Sequence, residues 1–333
     1  MEASRDNTLI ASCVIILKKA PVGPGRNEYI CIDINIFLHT RNICSDIGGT
    51  AIKYGIVAQD GSVLSRAETP TNASQGGPYI LQRVIDLTEE LLSGREAAGI
   101  CISTAGMVDP VRGEIFYSAP LIPNYAGTCF KQVIESRFGL PCEVENDVNC
   151  AGLAEYRSGA AQGCRSMVML TIGTGIGGCA VVDGKVLHGA GNSACEIGYL
   201  RMRGSDFQTL GAASVLSTRV AARKPESPEQ WDGRRIFTQA QAGDPICIEE
   251  IDRMVDVLGE GIANLCYVLD PEVVVLGGGI MAQEAYLRDR IEQAINRYLI
   301  ASIASHVRLA FAAHRNDAGM LGAFYHFMNC HSV

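Results

Sequence analysis

Three stretches of this chain set reactive side chains beside turns that have almost none. The first runs Ile43-Cys44-Ser45-Asp46-Ile47-Gly48-Gly49-Thr50-Ala51-Ile52-Lys53. Apolar flanks around a glycine pair indicate a strand, a tight turn and a returning strand. The turn is polar. Gly48 and Gly49 let backbone N–H groups approach a ligand with no side chain between them. Successive N–H groups in such a turn form a concavity suited to anions. Thr50 and Lys53 add a hydroxyl and an ammonium of the kind that holds phosphate, and Asp46 is the acid that suits an accompanying Mg2+. An ordinary hairpin turn accounts for the same residues, and this stretch alone does not decide between the two. The second stretch repeats the device. A strand from Ser166 to Ile172 leads into the glycine turn Gly173-Thr174-Gly175-Ile176-Gly177-Gly178, and Cys179 to Val182 returns. The third is Gly277-Gly278-Gly279, between the strand Glu272 to Leu276 and a helix. Two glycine hairpins facing each other across a cleft would grip a polyphosphate from both sides. Three glycines at a strand-to-helix turn leave a surface bare enough for a flat adenine and its ribose.

The elements that must position these residues follow from periodicity. Residues 1–27 end in Pro21-Val22-Gly23-Pro24-Gly25-Arg26 and read as a flexible leader. Glu28 to Ile34 is echoed by Asn42 to Ile47, so the first strand is written twice. Only the second copy runs into the glycine pair, which places the working acid at Asp46, with Asp33 as the fallback and 35–42 as part of an insertion. Asp60-Gly61 marks the next turn and Val63 to Glu68 a third strand. Ile80, Leu81, Val84, Ile85, Leu87, Leu91 and Leu92 recur with helical spacing, and Gly99 to Thr104 is a short buried strand. This βββαβ order predicts a mixed sheet with helices against it. A helix over Ile134 to Phe138 and a strand over Cys142 to Glu145 lead to Asn146-Asp147. In the second half, Ile251, Val255, Leu258, Ile262, Leu265 and Leu269 make a long buried helical stripe. Val307 to Ala312 is the last strand and Asp317 to Met328 the closing helix. The fold class expected is duplicated α/β with a ligand between the halves. The domains expected are 28–149 with 316–333, and 150–315.

At 333 residues the chain is long enough for two substantial cores. Its composition, 47% hydrophobic and 19% charged, is that of a soluble globular protein, and a net charge of −8 argues against a nucleic-acid surface. Thirteen scattered cysteines without a CxxC pair suit neither a disulfide framework nor a zinc ribbon, so a reducing cytoplasm is expected. No apolar run approaches the roughly 18 residues of a membrane span. Leu9 to Leu17 is apolar but short and lacks the basic upstream flank of a signal peptide.

Taken together, the glycine turns resemble those of the sugar-kinase, heat-shock-protein and actin superfamily. More narrowly, residues 43–329 resemble the ROK family (repressors, open reading frames and sugar kinases). The matching pieces, in family order, are Asp46-Ile-Gly-Gly-Thr-Ala-Ile-Lys53, Ser103-Thr-Ala-Gly-Met-Val-Asp109, Glu145-Asn-Asp-Val-Asn149, Thr171-Ile-Gly-Thr-Gly-Ile-Gly-Gly178, Glu196-Ile-Gly-Tyr199 and Asn316-Asp-Ala-Gly-Met-Leu-Gly322. The resemblance implies an actin-like ATPase (ribonuclease H-like) fold and an ATP- and Mg2+-dependent kinase acting on a hexose or β-glucoside, at its 6-hydroxyl. It makes Asp147 the general base, which suits the chemistry: a hydroxyl is a poor nucleophile, and a carboxylate in reach accepts its proton as the P–O bond forms. It places Asn146, Glu196, Tyr199 and the Gly106 loop at the sugar. Asn146 is also a fitting helix N-cap, and Asp109 before Pro110 a fitting turn residue. Asp46, Gly48, Gly49, Thr50 and Lys53 would meet the nucleotide's phosphates and Mg2+ from one side, and Gly173, Thr174, Gly175 and Gly177 from the other. Gly277, Gly278 and Gly279 would lie against adenosine. A homodimer is implied as well.

The departures from the family pattern are specific. Typical members carry histidine where Tyr199 stands, followed by a cysteine-rich zinc knuckle. Here residues 200–215 contain no cysteine, and Cys195 alone cannot build a tetrahedral site. No structural zinc site, and no zinc, is therefore expected. A glutamate after the knuckle has no clear match, Gln208 being nearest. The zinc-less branch, which includes β-glucoside kinases, is the best fit. N-Acetylmannosamine is an alternative substrate. A transcriptional repressor would need a DNA-reading domain ahead of the first hairpin, and a sugar sensor without catalysis would follow if the insertion displaced Asp46.

Overall fold

The computed structural model describes residues 41–226 and 230–331. They lie in one compact unit. The leader, the first copy of the opening strand with Asp33, and residues 35–40 of the insertion lie outside the described residues. The first half runs β1 (Arg41–Ile47), β2 (Ala51–Ala58), β3 (Val63–Pro70), α1 (Gly77–Leu92), β4 (Gly99–Thr104), β5 (Met107–Asp109), β6 (Glu114–Tyr117), α2 (Phe130–Phe138), β7 (Cys142–Asn146) and α3 (Asp147–Ser158). The second half opens with β8 (Ser166–Ile172), β9 (Ile176–Val182), β10 (Lys185–Val186), β11 (Arg201–Met202) and β12 (Ser205–Asp206). Helices α4 (Phe207–Gly211), α5 (Ala213–Ala222), α6 (Gly233–Gln241) and α7 (Pro245–Leu269) follow. The chain ends through β13 (Val273–Gly277), α8 (Glu284–Tyr298), α9 (Ala301–Ala304), β14 (Arg308–Phe311) and α10 (Ala318–His331). No helix among the described residues is long and apolar enough to cross a membrane.

Each half builds one five-stranded sheet on the same plan. The first has the order β3-β2-β1-β4-β7, an antiparallel meander extended by two strands parallel to β1. The second has the order β10-β9-β8-β13-β14, again a meander plus two strands parallel to β8. The duplication expected from the paired glycine hairpins is present strand for strand.

The period-2 alternation of strand side chains decides what each sheet face meets. Ile43, Ile47, Ile100, Ile102, Cys142 and Val144 point to one side of the first sheet and close over Ile80, Val84 and Leu87 of α1. Cys44 and Cys101, between them in the strands, point to the other side and meet α3 and α10 through Cys150, Ala154, Leu321 and Phe324. Helix α3 turns its remaining apolar residues, among them Val148 and Tyr156, toward Met167, Met169 and Val275 of the second sheet. The far face of that sheet carries the largest core, beneath the 25-residue α7. Helix α3 thus lies between the sheets, α10 packs on the first sheet and on α3, and α3 begins at the residue expected to do the chemistry.

Two boundaries differ from expectation. The run Gly173 to Gly178 is not all turn, because β9 starts at Ile176. Gly177 and Gly178 are strand residues where neighbours press close: a Cβ at 177 would come 2.7 Å from Val148 Cγ2, and one at 178 would come 2.6 Å from Cys195 O. Likewise Gly277 closes β13 rather than joining the turn after it. The β5–β6 hairpin was not anticipated. Its signal is the alternation of buried Val108 and Ile115 on either side of Asp109-Pro110 and Gly113.

Candidate active site

The parallel strands of both sheets deliver their C-terminal ends to one region, where ligands bind in open α/β sheets. A cleft of about 380 Å³ lies there. Asn146, Asp147, Gly173, Thr174, Gly175, Gly278, Glu196, Tyr199 and Gln208 line it, with Gln208 so close to Gly175 that a Cβ there would come 2.7 Å from its Oε1. Gly106, Tyr117 and Gly177 also reach it.

Asn146 ends β7 and is the N-cap of α3, its side-chain Oδ1 accepting from the backbone N–H groups of Val148 and Asn149 at 2.9 and 3.0 Å. Its Nδ2 donates to Gly106 O and to Asp147 Oδ1, both at 2.9 Å. Two donors and two acceptor positions are all that an amide offers. The cap role is therefore real, and the amide is saturated within the protein. Glu145 steadies it from behind: Oε1 accepts from Asn146 N–H at 2.8 Å and from Asn149 Nδ2 at 3.1 Å, and His188 Nε2 sits 2.6 Å from Oε2.

Asp147 takes the first position of α3, where the helix N-terminus favours a negative charge. Val148 N–H also donates to its Oδ1, at 2.9 Å. Against these, the protein packed around the carboxyl hydrates it poorly, and the charge of Asp46 lies near. Burial first and Asp46 second push its pKa up to about 7. That is the range in which a carboxylate can take a proton near neutral pH.

Asp46 reaches this neighbourhood from β1. In-register pairing of β1 with β4 sets Ser103 beside it, and Ser103 Oγ donates to Oδ1 at 2.7 Å. Burial raises its pKa, while Ser103 and Lys53 work against that rise. Lys53 stands opposite on β2, Nζ 3.7 Å from Oδ2. From below, Gly319 of α10 abuts the carboxylate so closely that a Cβ there would fall 2.3 Å from Oδ1. The motif Asn316 to Gly322 contains this glycine, but only the packing of α10 on β1 shows what it accommodates.

Glu196 is the N-cap of a short 3-10 turn, Ile197–Tyr199, and Tyr199 is its last residue. Burial raises the carboxyl of Glu196. It raises Tyr199 too, helped by Tyr117, while a hydrogen bond with Gln208 lowers Tyr199. Gln208, the nearest match to the missing glutamate, is thus in the cleft beside Tyr199. Tyr117 was not anticipated and arrives on the β5–β6 hairpin.

The remaining expected residues lie around this cleft rather than in its lining. Gly48, Gly49 and Thr50 form the β1–β2 turn, whose Gly48 O and Thr50 O accept from the buried Thr71. Lys53 lines a neighbouring pocket with Arg66, Glu68 and Asp317. Gly277 is buried beneath Met169, and Gly279 faces open space. Between them Gly278 has φ +96°, and a Cβ would strike Ile172 O at 2.2 Å, so only glycine turns the chain there. Asp109 is a turn residue: its Oδ1 accepts from Val111 and Arg112 N–H at 3.0 and 3.1 Å.

Residues 42–329 match the sequence profile of the ROK family. An uncharacterized protein of Clostridium perfringens is 50% identical over 282 residues, covering 85% of this chain and 96% of its own. A β-glucoside kinase of Klebsiella pneumoniae is 35% identical over 290 residues, covering 85% and 94%. Among solved structures, a ROK family glucokinase from Streptomyces griseus in complex with glucose and AMPPNP superposes with a TM-score of 0.74 at 28% identity, covering 85% of this chain and 97% of that one.

Proposed function

The chain belongs to the ROK family, and on that premise we propose that it is a sugar kinase moving the γ-phosphoryl group of ATP to the 6-hydroxyl of a hexose or β-glucoside. The observation that carries this reading is that Asp147, held by Asn146, lines one cleft together with a bare glycine turn, Glu196 and Tyr199. Glu196 and the tyrosines supply acceptors and flat apolar faces of the kind sugars use. Gly173 N–H closes the turn on Gly175 O at 2.9 Å, which leaves the backbone N–H groups of Thr174 and Gly175 as the donors for phosphate. Adenosine fits the exposed backbone at Gly278 and Gly279. A saturated amide makes Asn146 first the residue that orients Asp147, with contact to sugar requiring one of its present bonds to exchange.

In the reaction the sugar hydroxyl gives its proton to Asp147 as its oxygen bonds to phosphorus, and the bond from the γ-phosphorus to the ADP oxygen breaks. Asp46 is the residue that suits Mg2+, because its carboxylate is fixed by Ser103 and its negative charge already burdens Asp147. Mg2+ bound with the nucleotide neutralises phosphate charge. Lys53 is kept as a phosphate contact that depends on movement of the β1–β2 hairpin.

Steady-state assays with MgATP over glucose, cellobiose and N-acetylmannosamine test the reading. Turnover is expected, with the preferred sugar naming the substrate. Absence of turnover on every sugar, with sugar binding retained, would replace the kinase by a sugar-responsive regulator. Asp147→Asn is expected to lower kcat by roughly 10²–10⁴ with nucleotide affinity nearly unchanged. An unaltered kcat would remove Asp147 from the reaction.

A further inference from the structure

Behind the cleft, β7 and the last turns of α10 bring together Glu143, His326 and Cys330, which the proposed reaction does not use. Strand alternation sends Cys142 and Val144 into the core with α1 and turns Glu143 and Glu145 toward α10. His326 and Cys330 are four residues apart on α10 and share the face that meets β7. Ligand atoms of Glu143, His326 and Cys330 all fall within 4.8 Å of one another.

We propose that Glu143, His326 and Cys330 form a binding site for a zinc-class divalent cation, tying α10 to β7. The separations suit such an ion. His326 Nε2 and Cys330 Sγ are 3.8 Å apart. Zn–S and Zn–N bonds of about 2.3 and 2.0–2.1 Å in tetrahedral array put those two atoms about 3.6 Å apart. The other nitrogen of His326, Nδ1, is 3.6 Å from Glu145 Oε2. That is beyond hydrogen-bond reach, and Oε2 also meets His188 at 2.6 Å; drawn about half an ångström closer on metal binding, this carboxylate would orient the imidazole and fix its tautomer. Lys131 Nζ holds Glu143 Oε2 at 2.8 Å, and His331 Nε2 approaches Oε1 at 2.9 Å. His331 or water completes the fourth position. Charge balances as well: one thiolate and one carboxylate match a dication, and binding releases the Cys330 thiol proton to solvent. Glu143 and His326 are buried and Cys330 is exposed, which leaves an entry on the sulfur side. This location is separate from the 199–215 segment, where no cysteine stands.

The test uses the full chain, stripped with a chelator and titrated with Co2+. One equivalent is expected to give a thiolate-to-cobalt charge-transfer band with tetrahedral visible absorption, both lost when Zn2+ is added. Cys330→Ser changes an exposed side chain and is expected to abolish the charge-transfer band. Cys129→Ser and Cys164→Ser, at half-exposed thiols elsewhere, are expected to leave it unchanged. Glu145→Gln is expected to weaken Co2+ binding about 10–100-fold. Equimolar Zn2+ should raise the Tm of the parent chain and not that of Cys330→Ser. No band at one equivalent, or a band that survives Cys330→Ser, overturns the proposal and leaves an ordinary polar network at the helix end.

Discussion

In the proposed reaction Asp147 must be ionised to accept the sugar's proton, yet its setting opposes the charge. With the pKa pushed up to about 7, the neutral form dominates on the acid side. For the free enzyme, kcat/KM for the sugar is expected to rise with pH through an inflection near 7 and then level. A profile flat from pH 5.5 to 8.5 would contradict this. The same shift bears on stability, with a definite sign. The folded-state pKa lies above the ordinary value of 3.8. Below about 4 both folded and unfolded chains hold the proton and nothing is lost. Between about 4 and 7 only the folded chain holds it, so stability falls as pH rises, and above 7 the full penalty remains. Asp147→Asn keeps an oxygen for Asn146 Nδ2 and Val148 N–H while removing the charge. Its denaturation midpoint is therefore expected to exceed that of the parent chain at pH 8 and to approach it at pH 5, while kcat collapses. The Asn146-Asp147 pair was legible as cap and acid; its saturated amide was not, because hydrogen-bond partners such as Gly106 lie forty residues away.

At the scale of elements, α10 decides how tightly the floor under Asp46 is built. Gly319→Ala places a Cβ 2.2 Å from Asp46 Cγ, and neither the helix nor the strand can move without disturbing the other. Overpacking of this kind costs typically 1–3 kcal/mol. Both the urea midpoint and kcat are expected to fall. Gly279→Ala is the contrast, since nothing stands within 4 Å of its Cβ position. It should leave the urea midpoint nearly unchanged and raise the KM for ATP, because the added methyl occupies surface proposed for adenosine. Equal kinetic effects at the two positions would argue against the nucleotide placement. Both glycines are plain in the sequence, but their opposite surroundings come from strand–helix packing. The β5–β6 hairpin escaped for a related reason: strands of three and four residues carry too little alternation to stand out from a turn.

Across the described residues, two sheets of identical plan are joined by α3, which touches both, while α10 packs on the first sheet and on α3. The Gly48 turn belongs to the first sheet and the Gly173 turn to the second, and only the latter lines the cleft. We infer that the halves built by residues 41–149 with 316–331, and by 150–226 with 230–315, close on one another when sugar and nucleotide bind, bringing Gly48, Thr50 and Lys53 toward the phosphates. Small-angle scattering with glucose and AMPPNP is expected to show a smaller radius of gyration than the free chain, and no change would keep the first hairpin out of the phosphate site.

What the residues determined by themselves was local and periodic. Glycine pairs between apolar runs set the hairpins, helical stripes set α1 and α7, and the order of elements implied the duplicated α/β plan, because these depend on neighbours within a few residues. The six short motifs also carried the family resemblance. Tertiary structure alone decided which side chains meet. Asp46 lies against Gly319, Asn146 bonds to Gly106, Gln208 stands beside Tyr199, and Glu143 faces His326 and Cys330. Apart from Gln208 and Tyr199, which a short local excursion brings together, these pairings join distant segments through sheet register and helix packing, and such contacts leave no periodic trace in a single chain.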